Sequence, residues 1–255
     1  MKKFALVCLL CLALAGCGAK AGSRGMSSGS MTDKEVGLRL NLVESHISGR
    51  QYQIALQELM QIEDAADHMS RYHFDSGLIY LGLDELDKSR EGFARAVEID
   101  EDFAEAWNNL GKVLEAQGKD AEAEAAYRKA FGILTYVTPE FAAYNLGSLL
   151  LRTGRAKEAE DFGRKALARN WRYIPAYKLL SDVFIAQNRM DDAEAVLKSG
   201  LEADMNSTST MLALAEHQVR IGKTLEAKEL FERIATQYPK SGEARAARDY
   251  LDLLQ

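Results

Sequence analysis

The chain has 255 residues, 47% of them apolar and 27% charged, a composition that builds a globular core and excludes a disordered chain. Its formal charge is −6, with acids and bases interspersed, which excludes the basic stripe of a general nucleic-acid binder. Only three prolines interrupt it, so long stretches are free to run as helix.

At the N-terminus, Lys2 and Lys3 precede an apolar run from Phe4 to Ala15 that is too short to span a bilayer and reads as the core of a signal peptide. The run ends in Leu14-Ala15-Gly16-Cys17, which resembles the bacterial lipobox. The resemblance implies that residues 1–16 are removed as a lipoprotein signal peptide and that the Cys17 thiol takes a diacylglycerol. Acyl chains anchor a protein without spanning; each buried methylene contributes roughly 0.8 kcal/mol, and two chains suffice. Gly18 stands where the enterobacterial sorting rule places Asp for inner-membrane retention, so the same resemblance implies the outer membrane, with the folded part in the periplasm. Cys8 and Cys11 fall within the signal peptide, and no cysteine follows Cys17. That excludes a disulfide, a thiolate nucleophile and a Cys-ligated metal from the mature domain. Residues 17–35 carry Gly22, Ser23, Gly25, Ser27, Ser28, Gly29 and Ser30 and are expected to form a flexible tether, with a mean span of about 20 Å.

Residues 36–255 are organised by an internal repeat. Asn108-Asn109-Leu110-Gly111 and Tyr144-Asn145-Leu146-Gly147 stand 36 residues apart. Glu122-Ala123-Glu124 with Arg128-Lys129-Ala130, and Glu158-Ala159-Glu160 with Arg164-Lys165-Ala166, follow in the same register. The pattern resembles the tetratricopeptide repeat, two antiparallel helices in 34 residues. Six units begin near Val36, Ser70, Ala104, Glu140, Ile174 and Thr208. Numbering positions from the start of each unit, position 8 is Val43, Gly77, Gly111, Gly147, Ser181 and Ala215, and position 20 is Ala55, Ser89, Ala123, Ala159, Ala193 and Ala227. Small residues there let two helices approach closely. Position 24 is bulky in every unit except the fourth, where it is Gly163, beside Phe162. Gly118, Gly154, Asn188 and Gly222 mark turns inside units, and Pro139 and Pro175 mark helix starts. Residues 242–255 read as a capping helix with Leu251 and Leu254 on its apolar face. The expected fold is all-α: a tetratricopeptide-repeat α-solenoid of six helix-turn-helix repeats plus a C-terminal capping helix.

Catalytic chemistry finds no foothold in this sequence. His46, His68, His73 and His217 lack metal-ligand spacing, and Asp191-Asp192 and Glu101-Asp102 sit on exposed turns. There is no Gly-rich phosphate loop or nucleophile elbow. No enzyme, metal, cofactor or small-molecule substrate is expected. A superhelix of this type presents a concave surface for segments of other proteins. In this repeat family, positions 2, 5, 9 and 12 of the first helix line that surface. They are Leu40, Glu44 and Ile47 in the first unit and Arg71, Phe74, Leu78 and Leu81 in the second, an apolar groove. Later units supply Glu105, Asn108, Lys112 and Glu115; Phe141, Tyr144, Ser148 and Leu151; Pro175, Lys178, Asp182 and Ile185; and Ser209, Leu212, Glu216 and Val219. The Lys and Asn pair with which chaperone-binding repeats clamp a C-terminal carboxylate is replaced by Leu40 and Glu44.

Lipobox, tether, six repeats and the junction Thr135-Tyr136-Val137-Thr138-Pro139-Glu140 before Asn145-Leu146-Gly147 together resemble the type IV pilus biogenesis lipoproteins called PilF or PilW. The resemblance implies a pilotin, which binds secretin subunits and brings them to the outer membrane to multimerise. Its partners would be a secretin segment and, through Cys17, the lipid bilayer. The stretch from Leu230-Phe231 to Tyr238-Pro239-Lys240-Ser241 also resembles repeats of barrel-assembly and cell-division lipoproteins, which implies instead a general envelope scaffold or regulator.

Overall fold

A computed structural model describes residues 31–254; the expected signal peptide, Cys17 and most of the expected tether lie outside the described residues. Among the described residues there are fourteen helices and no strand. Six helix pairs follow one another: α1 (Asp33–Ser48) with α2 (Tyr52–Met60), α4 (Ser70–Gly82) with α5 (Leu86–Ile99), and α6 (Ala104–Ala116) with α7 (Asp120–Gly132). Then come α8 (Pro139–Arg152) with α9 (Ala156–Arg169), α10 (Ile174–Ala186) with α11 (Met190–Ala203), and α12 (Thr208–Arg220) with α13 (Thr224–Gln237). A single turn, α3 (Glu63–Ala66), extends the first pair, and α14 (Glu243–Leu253) closes the C-terminal end. The solenoid therefore has the six units and cap that the periodicity predicts. Its first helix starts earlier than expected, at Asp33, because Thr32 and Glu35 form a capping box: the Thr32 hydroxyl accepts from the Glu35 amide, and the Thr32 amide donates to the Glu35 carboxylate at 2.8 Å.

Every unit reverses direction through one residue of left-handed backbone at position 15. These are Arg50 (φ 56°), Asp84 (63°), Gly118 (73°), Gly154 (81°), Asn188 (59°) and Gly222 (81°). Glycine takes this conformation without strain, whereas Arg50 and Asp84 hold it at a cost of about 1 kcal/mol each. The first helices thus all start along one edge of the solenoid, and the internal turns line the opposite edge.

Within a unit the two helices close on position 8. A Cβ at Gly77 would lie 2.6 Å from the Phe93 ring, and one at Gly111 would lie 2.5 Å from Tyr127. The second unit adds a hydrogen bond at this contact, Ser89 Oγ donating to the Gly77 carbonyl at 2.8 Å. Unit four solves the same packing differently. Its position 24 is Gly163, and the space over Gly147 is taken by Leu179 of the next unit, whose Cδ2 lies 2.8 Å from a Cβ built there. Leu180 closes on Gly163 in the same way. Phe162, beside Gly163, is buried but turns toward Phe131, edge to face at 5.8 Å.

Adjacent units are stitched by a ladder of ion pairs. The basic residue at position 16 reaches back to the glutamate at position 21 of the preceding unit: Arg155 to Glu124 at 2.6 Å, Arg189 to Glu160 at 2.7 Å, and Lys223 to Glu194 at 2.5 Å. Glu194 is nearly buried, and the donors Lys198 and Lys223 hold its carboxyl down at about 2. At the C-terminal end Tyr250 of α14 stacks on Phe231 at 4.8 Å, and Leu251 and Leu254 pack on the core of the last unit as expected of a cap.

The first unit departs from the expected face. Leu40, assigned to the groove, is wholly buried with Val36 and Val43. Where this repeat usually places bulky residues, the unit offers Arg39 and His46, which take polar partners: Arg39 donates to Gln61 at 2.9 Å and pairs with Glu58, and His46 Nδ1 lies 2.7 Å from Gln51 Oε1. Helix α1 is therefore rolled so that Val36, Leu40 and Val43 face inward, leaving Leu42 at 44% exposure.

Because Leu179 fills the space above two glycines, Leu179→Ala is expected to lower stability by about 2–5 kcal/mol, the cost of a core cavity. Urea unfolding of this variant beside Leu212→Ala, at a half-buried position, measures it. Equal small losses in both would contradict the packing described.

Candidate protein-binding groove

Positions 9 and 12 of α6, positions 5, 9 and 12 of α8 and positions 5 and 9 of α10 come together on the concave side. A cavity of about 720 Å³ opens between α8, α10 and the start of α12, lined by Tyr144, Ser148, Leu151, Pro175, Lys178, Asp182 and Ser209. It continues toward the N-terminus into a depression of about 620 Å³ bounded by Lys112, Glu115, Tyr144, Ser148 and Arg152. The two share Tyr144, Ser148 and Arg152, so they form one groove with an apolar floor and charged walls.

An aromatic corner fixes the floor. Phe141 and Tyr144, one helical turn apart on α8, meet the Tyr173 ring edge-on at 5.2 and 5.6 Å. Burial, with Tyr144 adding to it, pushes the Tyr173 hydroxyl up to about 12. On the wall, Arg152 donates to Asp120 at 2.7 Å and to Glu115 at 3.2 Å, and Glu115 also accepts from the Tyr127 hydroxyl at 2.9 Å. Burial, and then the Glu115 charge, drive the Tyr127 hydroxyl upward. Arg152 was not among the expected groove residues. It stands one residue past position 12, and its role depends on the acids of the preceding unit.

Of the expected residues, Lys112 and Tyr144 line this groove and Phe141 stands exposed at the aromatic corner. Asn108 does not: it is buried and accepts from Asn145 Nδ2 at 2.9 Å, an amide pair that joins the third and fourth units. The first two units present less open apolar surface than expected. Phe74 is tilted against Phe93 at 5.7 Å and Phe103 at 4.7 Å, and Leu78 and Leu81 pack on the same core, all three half-buried. Ile47 packs on the first core, and Glu44 accepts from Arg71 at 2.7 Å, with Asn41 taking a second Arg71 donor at 2.6 Å. Beneath this pair lies Asp75, fully buried, whose carboxylate oxygens find no hydrogen-bond partner among the described residues. Burial, reinforced by Glu44, pushes its carboxyl up to about 7, against a smaller opposing pull from Arg71. No group of three or more His, Cys, Asp or Glu side chains among the described residues is placed to hold a metal ion.

This geometry defines a tetratricopeptide-repeat solenoid, a class whose domains bind other proteins or peptides and typically serve as non-catalytic scaffolds. Tetratricopeptide-repeat models match residues 102–170, 150–217 and 184–249, and a TPR-repeat model matches residues 77–118. The chain is thus a tetratricopeptide-repeat protein. Among solved structures it is similar to PilW, described as a widely conserved type IV pilus biogenesis factor, with a TM-score of 0.74 and 24% identity over 84% of this chain and 99% of that one. It is also similar to Pseudomonas aeruginosa pilF, with a TM-score of 0.69 and 16% identity over 84% of this chain and 96% of that one. YrrB, described as a TPR protein with an unusual peptide-binding site, gives 0.54 and 16% over 75% and 97%. A curated relative, the peroxisomal targeting signal receptor of Candida albicans, is 36% identical over 86 residues, which are 33% of this chain and only 14% of that receptor. At these identities the solved structures establish the shared fold.

Asp75 gives the first two units a pH signature. Its carboxyl is raised in the folded state, so its contribution to stability is fully present below about pH 4 and is lost as pH rises toward 7. Stability should fall by up to ~1.4 kcal/mol per pH unit across that window. In Asp75→Asn this slope should disappear, so the variant gains on the wild type at pH 8 relative to pH 4. Chemical unfolding at the two pH values reads the difference; identical slopes would remove Asp75 as its source.

Proposed function

We propose that this protein is a non-enzymatic, lipid-anchored assembly factor of the type IV pilus. It holds a segment of a secretin subunit in its concave groove and promotes secretin targeting to, and multimerisation in, the outer membrane. The observation that carries the reading is the extent of the likeness: it covers 84% of this chain together with 99% of the PilW chain and 96% of the pilF chain. The Leu14-Ala15-Gly16-Cys17 sequence supplies the anchor in this reading, and the Thr135–Glu140 junction adds a family feature outside the generic repeat.

The mechanism is physical. The segment lies along the first helices, its apolar side chains on Tyr144 and Leu151 and its charges against Lys178, Asp182 and Lys112. Burying an aggregation-prone stretch while the acyl chains hold the complex at one membrane keeps the subunit soluble until it meets others.

Heat-resistant secretin multimers in outer membranes, compared with and without this gene, test the reading. Multimers should be lost while secretin monomer persists. Cys17→Ala should leave monomer in the wrong membrane fraction, and Ser148→Glu with Lys178→Glu should reduce capture of secretin at least ~10-fold with the fold intact. Unchanged multimers in the deletion would discard the pilotin role in favour of a general envelope scaffold.

A further inference from the structure

Large apolar side chains stand out on three consecutive turns between units. Leu134 and Val137, in the turn before α8, are 96% and 83% exposed; Trp171, before α10, is 58% exposed; and Met205, before α12, is 66% exposed. Their exposure follows from the local packing. In the long turn Tyr136 is buried among Ala104, Ala130 and Ala142, which turns its neighbours Leu134 and Val137 outward. In the next turn the Trp171 carbonyl is held by the Tyr177 hydroxyl at 2.7 Å, while the indole lies outside with the Arg172 guanidinium 5.1 Å from its ring. Met205 is fixed likewise, its carbonyl accepting from Arg233 at 2.9 Å. These turns adjoin along one edge: Asn170 donates to Glu140 at 2.9 Å, and the Tyr238 hydroxyl donates to Asn206 at 2.8 Å. The opposite edge carries Arg50, Asp84, Lys119, Arg155, Arg189 and Lys223 at its turns, with Ile54, Leu225 and Leu253 isolated on separate units.

We infer that the edge formed by Leu134, Val137, Trp171 and Met205 rests on a lipid surface. What selects a membrane over a protein partner is where the chain leads. Helix α1 starts at Asp33 on this same edge, because every first helix of a unit starts there. The 15 residues between Cys17 and Asp33 have the Gly- and Ser-rich composition for which a mean span of about 20 Å is expected, and at that length acyl chains on Cys17 would draw this edge, not the charged one, toward the bilayer. A tryptophan flanked by an arginine matches the interfacial layer, where an apolar body and a charged tip are both accommodated. Two contacts, the acyl chains at the first unit and this strip at units three to six, lay the solenoid along the membrane and fix which way its groove opens. The inference rests on the anchor assigned under the proposed function.

The mature chain beyond Cys17 has no cysteine, so a single nitroxide can be placed at Val137→Cys or, on the opposite edge, at Asn188→Cys. Acylated full-length mature protein is reconstituted on vesicles of phosphatidylethanolamine and phosphatidylglycerol, and flotation is read alongside label accessibility. The label at 137 should be reached by oxygen and shielded from an aqueous nickel complex, and the label at 188 should show the reverse. Replacing Leu134, Val137 and Trp171 with Ser in unacylated Cys17→Ala protein should lower vesicle partitioning by about ten-fold. Equal aqueous exposure of both labels on protein that floats would overturn the edge contact and leave the anchor standing. Failure of the acylated preparation to float would remove the anchor and the inference together. Shielding of 137 that appears only when secretin is added would assign the strip to that protein instead.

Discussion

The separation of the two helices in each unit is set where position 8 meets position 24, and the rest of the solenoid depends on that distance. At Gly77 and Gly111 the aromatic rings of Phe93 and Tyr127 lie where a Cβ would be, so the helices approach as closely as backbone and ring allow. In the fourth and fifth units that approach leaves Tyr144, Ser148, Lys178 and Asp182, at positions 5 and 9 of the first helix, to line a concave wall. In unit four the large group comes from the neighbouring unit, since Leu179 and Leu180 close over Gly147 and Gly163. A contact that elsewhere stabilises one unit here joins two. The centre of the solenoid is accordingly more tightly coupled than a chain of independent repeats, and the cavity between α8, α10 and α12 sits on that coupled segment.

Charge pairs divide the remaining work. Bridges between partly exposed groups contribute about 0–1 kcal/mol each, so the ladder from position 16 to position 21 does more to set the register of units than to stabilise them. Glu194, nearly buried with two lysine partners, is the strongest rung. The ladder stops where its chemistry stops. Between the second and third units position 21 is Arg90, facing Lys119 at position 16, and two bases cannot pair. That junction is held by the Phe74–Phe103 contact and by Gln117 donating to Asp87 at 3.0 Å. The same aromatic contact that replaces the ladder half-buries Phe74, which is why the N-terminal part of the concave face is less open than the part beyond it.

What the sequence made legible is what is local. The period, the small positions, the left-handed turns at Gly118, Gly154, Asn188 and Gly222 and the capping helix each depend on a few neighbouring residues, and each is found where periodicity places it. Lys112, Tyr144, Ser148 and Lys178 line the groove because helical spacing alone fixes which side they share. Leu40 was not legible: the roll of a terminal helix is decided by the polar partners of Arg39 and His46 and by having a neighbouring unit on one side only. Neither was Asn108, whose burial depends on an amide 37 residues away, nor the role of Leu179, which compensates for a glycine in another unit. Arg50 and Asp84 were hidden for a simpler reason, since neither residue type announces a positive φ.

A groove of this composition favours discrimination over raw affinity. Its floor offers a modest apolar area, while its walls alternate Lys112, Glu115, Arg152, Lys178 and Asp182 within one continuous surface. Opposite charges so arranged speed encounters with a matching segment and penalise a mismatched one, without making the complex tight. Arg152 sharpens this, because it is already bonded to Asp120 and Glu115; an acidic group on the partner gains from it only by competing with those carboxylates. Weak but selective capture would suit the assembly factor proposed above, which has to release its cargo. In the proposed role the membrane supplies the missing affinity, since confining both partners to one surface raises their effective concentration without any further contact in the groove.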